Sequence, residues 1–259
     1  MIAEYHRPQT LEKALELLSM PCTYPLGGGT VLSLPRDEPI VVVDLQALGL
    51  NKIHKSGDRL VIGATVTLQN LLDNSHTPEA LRSAIRLEAP LNLRNIATVA
   101  GALVTCDGQS PFAVVMNALD AKLSILNGGR SLVDLGDMLI LKKETLHGGL
   151  ILNIEIPLVC KVAFESVARS PADRPIICAA VGMWPSGRTR LVLGGWGEAP
   201  TLAMDGNDSS GILAASKYAS QNSTDAWGSS EYRSAVAAVL TKRCIEELNP
   251  QFKSNDASE

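Results

Sequence analysis

Hydrophobic positions along this chain change period several times, and each change marks an element. Thr10 stands before Leu11, Ala14, Leu15 and Leu18, which share one helical face that the threonine caps. Cys22 to Leu26 reads as a short strand, and Ile40 to Leu45 as a buried, β-branched one. The opening is therefore β-α-β-turn-β. A second unit starts near Ile53. Gly57-Asp58 predicts a hairpin turn into Leu60–Ala64. Thr67 caps a short helix with Leu68, Leu71 and Leu72. Thr77-Pro78 starts a longer helix, which turns Leu81, Ala84, Ile85 and Ala89 inward. That helix ends near Pro90-Leu91-Asn92-Leu93, and Thr98 to Val104 reads as a strand kept thin by Ala100, Gly101 and Ala102. Ser110-Pro111 repeats the cap-plus-proline pattern ahead of Phe112, Val115, Met116 and Leu119. Strands follow at Lys122–Leu126 and Leu150–Ile156.

Pro157 marks a boundary. Beyond it the pattern predicts an antiparallel meander over Val162–Arg169, Ile176–Trp184 and Arg190–Gly194, the last two joined by the turn Pro185-Ser186-Gly187-Arg188. Two helices close the chain, near Ser209–Gln221 and Glu231–Leu248. Val236, Val239, Leu240 and Cys244 line the latter, and a polar tail begins at Asn249. The fold class is α+β.

Composition narrows the function. The 259 residues are 46% hydrophobic, enough for one large core or two modest ones. Net charge is −4 and no Lys/Arg cluster stands out, which argues against nucleic acid and anionic membrane as partners. The opening residues lack the basic-then-apolar layout of a secretory leader, so a cytoplasmic location is expected. The five cysteines include no C-x-x-C pair, and His6, His54, His76 and His147 show no ligand spacing, so no metal site is expected. No Ser/His/Asp arrangement or paired acid and base is visible, and no catalytic residue is assigned.

Candidate chemistry lies in two segments of small residues. Pro25 leads through Leu26, Gly27, Gly28, Gly29, Thr30 and Val31 to Leu32. Glycines there allow positive φ and a nest of inward N–H groups suited to a phosphate oxygen. No lysine follows at Walker spacing, and Leu32 takes the third-glycine position of the dinucleotide fingerprint, which excludes both motifs. The second segment runs Arg94-Asn95-Ile96-Ala97-Thr98-Val99-Ala100-Gly101-Ala102-Leu103, thin enough for a flat ring or a pyrophosphate to lie against.

Together, the glycine turn after a first βα unit and the later Arg-Asn-x-Ala-Thr-x-x-Gly run resemble the molybdenum hydroxylase flavoprotein family. Its members are the FAD-carrying medium subunits of carbon monoxide dehydrogenase-type enzymes and the FAD domain of xanthine dehydrogenase. The resemblance extends to Glu4-Tyr5-His6-Arg7-Pro8, to Arg169 through Asp173 to Ala180, to Leu193-Gly194-Gly195, and to Ser229-Ser230-Glu231-Tyr232-Arg233. It implies a two-part PCMH-type FAD-binding domain over residues 1–157, divided near residue 52, then a C-terminal domain of antiparallel sheet plus helices over 158–248 and a tail over 249–259. It implies noncovalent FAD and an oxidoreductase subunit in a heteromeric complex. Electrons would arrive from iron–sulfur and molybdopterin subunits and leave to NAD, a quinone or oxygen. Carried over, Leu26 to Leu32 would hold the pyrophosphate. Ala97, Thr98, Ala100, Gly101 and Leu103 would lie along the flavin, and Asp107 and Ser110 would approach its hydroxyls.

The chain departs from the family at Val31, usually Ser or Asp, at Ala100 and Ala102 within a usual Gly-Gly-Asn, at Ser110, usually a carboxylate, and at Ser166, usually basic. Each lost buried or charge-assisted hydrogen bond weakens binding by roughly 1.5–3 kcal/mol. These positions motivate an alternative reading, a chain of the same fold with weakened or lost FAD and a structural role.

Overall fold

A computed structural model describes residues 2–146, 148–171 and 173–250; His147 and most of the expected polar tail lie outside the described residues. The chain opens with β1 (Ile2–His6), α1 (Leu11–Leu18), β2 (Thr23–Leu26) and β3 (Ile40–Asp44), the strands forming a parallel sheet in the order β1-β3-β2. Thr10 caps α1 by accepting from the Lys13 N–H, and Ala14, Leu17 and Leu18 bury its apolar face.

The hairpin β4 (Ile53–Ser56) and β5 (Arg59–Gly63) turns at Gly57, φ 60°. Helices α2 (Leu68–Asp73), α3 (Glu79–Glu88), α4 (Leu91–Arg94), α5 (Val99–Thr105) and α6 (Pro111–Ala118) follow. Then come β6 (Lys122–Asn127), β7 (Gly129–Asp134), α7 (Leu135–Ile140), α8 (Lys142–Leu146) and β8 (Leu150–Pro157). They complete a five-stranded sheet in the order β4-β5-β8-β6-β7. The remainder is β9 (Lys161–Val167), β10 (Ile177–Met183), β11 (Thr189–Gly194), β12 (Thr201–Gly206), α9 (Ile212–Ala219) and α10 (Ser230–Leu248). Its strands form an antiparallel sheet in the order β12-β11-β10-β9.

Two compact units take the chain in alternation. The first holds the described residues of Met1–His76, Ala89–Thr105 and Ala121–Ile156. The second holds those of Thr77–Glu88, Cys106–Asp120 and Pro157–Glu259. In the first, Ala14, Leu17 and Leu18 pack with Val43, Leu45, Leu150 and Leu152. In the second, β10 is apolar without alternation because both its faces are covered. Ile177, Ala179 and Val181 join the cluster that includes Leu240 and Cys244 of α10. Gly182 faces the other way, where an added Cβ would stand 2.3 Å from the Ala118 carbonyl of α6.

Three expectations need correction. Thr98 to Val104 is not a strand but the start of α5. The Thr98 hydroxyl accepts the Gly101 N–H (3.2 Å), a cap, and Val99 and Leu103 bury one helical face at i, i+4 spacing. Pro90 to Leu93 does not end a helix but opens α4. Val239 does not line the core; it is half exposed, and Ala237, Leu240, Thr241 and Cys244 turn inward instead.

Candidate functional site

In the first unit the loop Gly27–Leu32 leaves the carboxyl end of β2, and Leu45 leaves that of β3, beside it in the parallel sheet. Loops at that end of parallel strands are where such sheets bind ligands. Only Gly29 of the three glycines has positive φ, 70°. Gly27 and Gly28 are small for a different reason, which corrects the expectation of three turning glycines. A Cβ on Gly27 would stand 2.6 Å from Thr98 Oγ1, and one on Gly28 would stand 1.7 Å from the Ile96 carbonyl oxygen. The first segment therefore lies directly on the second.

Hydrogen bonds shape the loop into one tight turn. The Gly29 carbonyl accepts the Ser33 N–H (3.0 Å) and the Val31 carbonyl accepts the Leu34 N–H (3.2 Å). Among the described residues, the N–H groups of Gly28 to Leu32 have no partner within the protein. Successive unpaired N–H groups at the head of a turn form an anion-binding concavity.

The loop borders a cavity of about 440 Å³, a volume within the ordinary range for small-molecule sites. Gly27 to Leu32 all line it, as do Thr98, Ala100 and Gly101. Its far wall is Gly148 to Ile151, entering β8. Thr65, also on the wall, has its Oγ1 buried with no hydrogen-bond partner among the described residues.

Other expected site residues stand elsewhere. Leu26, at the end of β2, gives its carbonyl to the Leu45 N–H, and Ala97 gives its carbonyl to the Leu68 N–H. Leu103 is fully buried on the face of α5 that it shares with Val99, while Ala100, Gly101 and Val104 line the cavity. A helix, unlike a strand, turns residue 103 away from 101. Asp107 and Ser110 belong to the second unit. Asp107 pairs with Arg174 (2.8 Å) and accepts the Gln109 N–H (2.9 Å). Ser110 caps α6 by accepting the Ala113 N–H (3.1 Å), and donates to Glu88 (2.7 Å). Burial raises the Glu88 carboxyl above the ordinary range, against the opposing hydrogen bonds from Ser110 and the Phe112 N–H.

Sequence reasoning missed Tyr24, Arg36 and the Gly148-Gly149 pair, all on the cavity wall. The paired glycines before a strand were a usable signal. Arg36, several residues beyond the glycine turn, carried none.

The family described as FAD binding domain in molybdopterin dehydrogenase matches residues 1–159. This chain belongs to that family. It is 30% identical to the glyceraldehyde dehydrogenase medium chain of Sulfolobus acidocaldarius, over 94% of this chain and 97% of that one. It is 25% identical to the carbon monoxide dehydrogenase medium chain of Afipia carboxidovorans, over 97% and 98%. Among solved structures, quinoline 2-oxidoreductase from Pseudomonas putida 86 superposes with a TM-score of 0.78 at 24% identity, covering 94% of this chain and 95% of that one. The Cu,Mo-CO dehydrogenase superposes at 0.77 with 23% identity, over 95% and 98%. At such identities the superpositions establish the fold, α+β of the PCMH type.

As a family member the chain is an FAD-binding component of an oxidoreductase of the molybdenum hydroxylase type. The site fits that cofactor. Unpaired N–H groups suit a diphosphate, and the wall of glycine, alanine and aliphatic residues suits a flat ring. The alternative of a cofactor-free scaffold finds no support, because the departures at Val31 and Ala100 leave the cavity open. Among the described residues, no helix is long and apolar enough to cross a membrane, and no cluster of His, Cys, Asp and Glu has the arrangement of a metal site.

Proposed function

We propose that this chain is the electron-transfer subunit of a heteromeric molybdenum hydroxylase-type dehydrogenase, working with an iron–sulfur subunit and a molybdopterin subunit. The observation that carries the reading is the cavity lined by the Gly27–Leu32 loop and by Thr98, Ala100 and Gly101, in a chain whose relatives are named medium chains. Bound FAD supplies the redox chemistry, taking up electrons and passing them on. The chain's own residues bind and orient it. The N–H groups of Gly28 to Leu32 hold the diphosphate, and Thr30 adds a hydroxyl donor. Ala100 and Gly101 give a flat surface for the ring, while Leu45, Leu150 and Ile151 exclude water beside it. Assigned this way, residues 1–157 form the flavin-binding domain and 158–248 the C-terminal domain. NAD, a quinone or oxygen would take the electrons, and the assembly would work in the cytoplasm.

The test is to purify the chain with its co-expressed neighbours and to measure flavin, iron and molybdenum together. A fixed ratio, with flavin bands near about 375 and 450 nm that bleach when substrate is added, supports the reading. A chain that purifies alone and stays colourless after incubation with FAD would sink it.

A further inference from the structure

The cavity is lined by one charged side chain among the described residues, that of Arg36. It lies on the same loop as the glycine turn. Its guanidinium reaches back to the turn, where Nη2 donates to the Val31 carbonyl at 3.5 Å. That is its only hydrogen bond among the described residues, long for a charged donor. Asp37 and Glu38 follow directly in sequence, yet no ion pair forms with either among the described residues, and neither lines the cavity. An arginine stays charged at any pH the protein meets, and its planar fork of donors matches phosphate oxygens. So the site carries a permanent positive charge, on an exposed and uncommitted side chain, beside a cluster of unpaired N–H groups.

We propose that Arg36 is the charge partner of the cofactor's diphosphate, resting on the reading of this cavity as the FAD site. Backbone N–H groups supply dipoles, which favour an anion without neutralising it. Arg36 supplies the counter-charge, swinging from the Val31 carbonyl onto a phosphate oxygen. The loop then distinguishes a flavin that carries a diphosphate from one that does not. Since Arg36 is exposed, the contribution is screened by salt, and FAD affinity falls as ionic strength rises.

The experiment measures FAD and riboflavin affinities by flavin fluorescence for the full chain and for Arg36→Gln and Arg36→Lys, at low and high salt. Arg36→Gln is expected to weaken FAD about tenfold, the size of one charge-assisted hydrogen bond. It should leave riboflavin affinity unchanged and flatten the salt dependence, and Arg36→Lys should recover part of the loss. Thermal melting of the variants checks that the loop still folds. Equal losses for FAD and riboflavin, or a salt dependence that survives in Arg36→Gln, would overturn the inference. FAD binding that is the same in wild type and Arg36→Gln would overturn it alone. No FAD binding by the wild-type chain would overturn the functional reading as well.

Discussion

Thr98 and Gly27 meet so closely that a methyl group on the glycine would stand 2.6 Å from the threonine Oγ1. The two small-residue segments are thus one packed object, with Thr98 at the joint. The same hydroxyl caps α5 through the Gly101 N–H, and a Cβ on Gly101 would stand 2.8 Å from it. Thr98→Val keeps the shape and removes the cap. It should cost about 1 kcal/mol of stability, within the usual range for a lost helix cap. Urea unfolding of the variant measures this, and an unchanged midpoint would show that the cap contributes nothing.

Gly28 and Gly29 separate two reasons for glycine. At Gly28 an added Cβ meets backbone, the Ile96 carbonyl oxygen at 1.7 Å, so the loop must move. At Gly29 the space is less restricted but φ is 70°. Gly28→Ala should therefore abolish FAD retention on desalting. Gly29→Ala should cost about 1–2 kcal/mol from the left-handed backbone and weaken FAD without abolishing it. Equal retention by the two variants would refute the distinction.

Glu88 should make stability depend on pH in the direction opposite to a salt-bridged carboxylate. Burial raises its folded pKa, so the folded state holds its proton when the unfolded chain, titrating near 4.5, has lost it. Arg174 nearby opposes this rise and Asp107 adds to it. The contribution is fullest below about 4.5 and falls as pH rises through the folded value. Glu88→Gln keeps an acceptor for Ser110 and the Phe112 N–H. Its stability relative to wild type should rise between pH 4 and 7, as measured from urea unfolding midpoints. A flat difference across that range would remove Glu88 as the source.

Arg233 is fully buried at the start of α10. It donates to the carbonyls of Ile176 (3.0 Å), Gly195 (3.3 Å) and Ser223, and to the Asp225 carboxylate (2.9 Å). One side chain thus ties three loops of the second unit together. Arg233→Met leaves those acceptors without a donor and should cost about 3–5 kcal/mol. Arg233→Lys should recover little, since an ammonium cannot reproduce the fork. A thermal melt within a degree or two of wild type would contradict this role.

The thiols should divide by burial. Cys160 is pushed up to about 12 by desolvation, and burial raises Cys178 and Cys244 as well. Cys22 is exposed. A thiol-reactive disulfide reagent should modify Cys22 in the native protein, and the three buried cysteines only after denaturation. Rapid native labelling of Cys160, Cys178 or Cys244 in a Cys22→Ser variant would count against the packing described for the second unit.

Legibility followed pattern strength. The caps at Thr10, Thr67 and Ser110 were readable because an N-cap is a local event, one side chain meeting an N–H two or three residues on. The strands β7 and β12 were not. β7 exposes Gly129 to Leu132, and β12 has no clean alternation of burial. Such strands exist because a neighbour offers them hydrogen bonds, as β6 does for β7 and β11 for β12. Leu103 was misplaced for a related reason: a run of small residues states that something lies close, but not whether the backbone is helix or strand.

The sequence by itself determined the elements with strong periodicity, their caps, the two glycine-rich segments and the family they belong to. Those properties reside in neighbouring residues, where spacing and side-chain chemistry act within one turn or one strand. Only the tertiary structure decided that the segments pack on each other, that Arg36 enters the cavity while Leu26, Ala97 and Leu103 do not, and that Asp107 and Ser110 fold with the second unit. Close approach between distant residues depends on where every intervening element packs, and no local pattern records that distance.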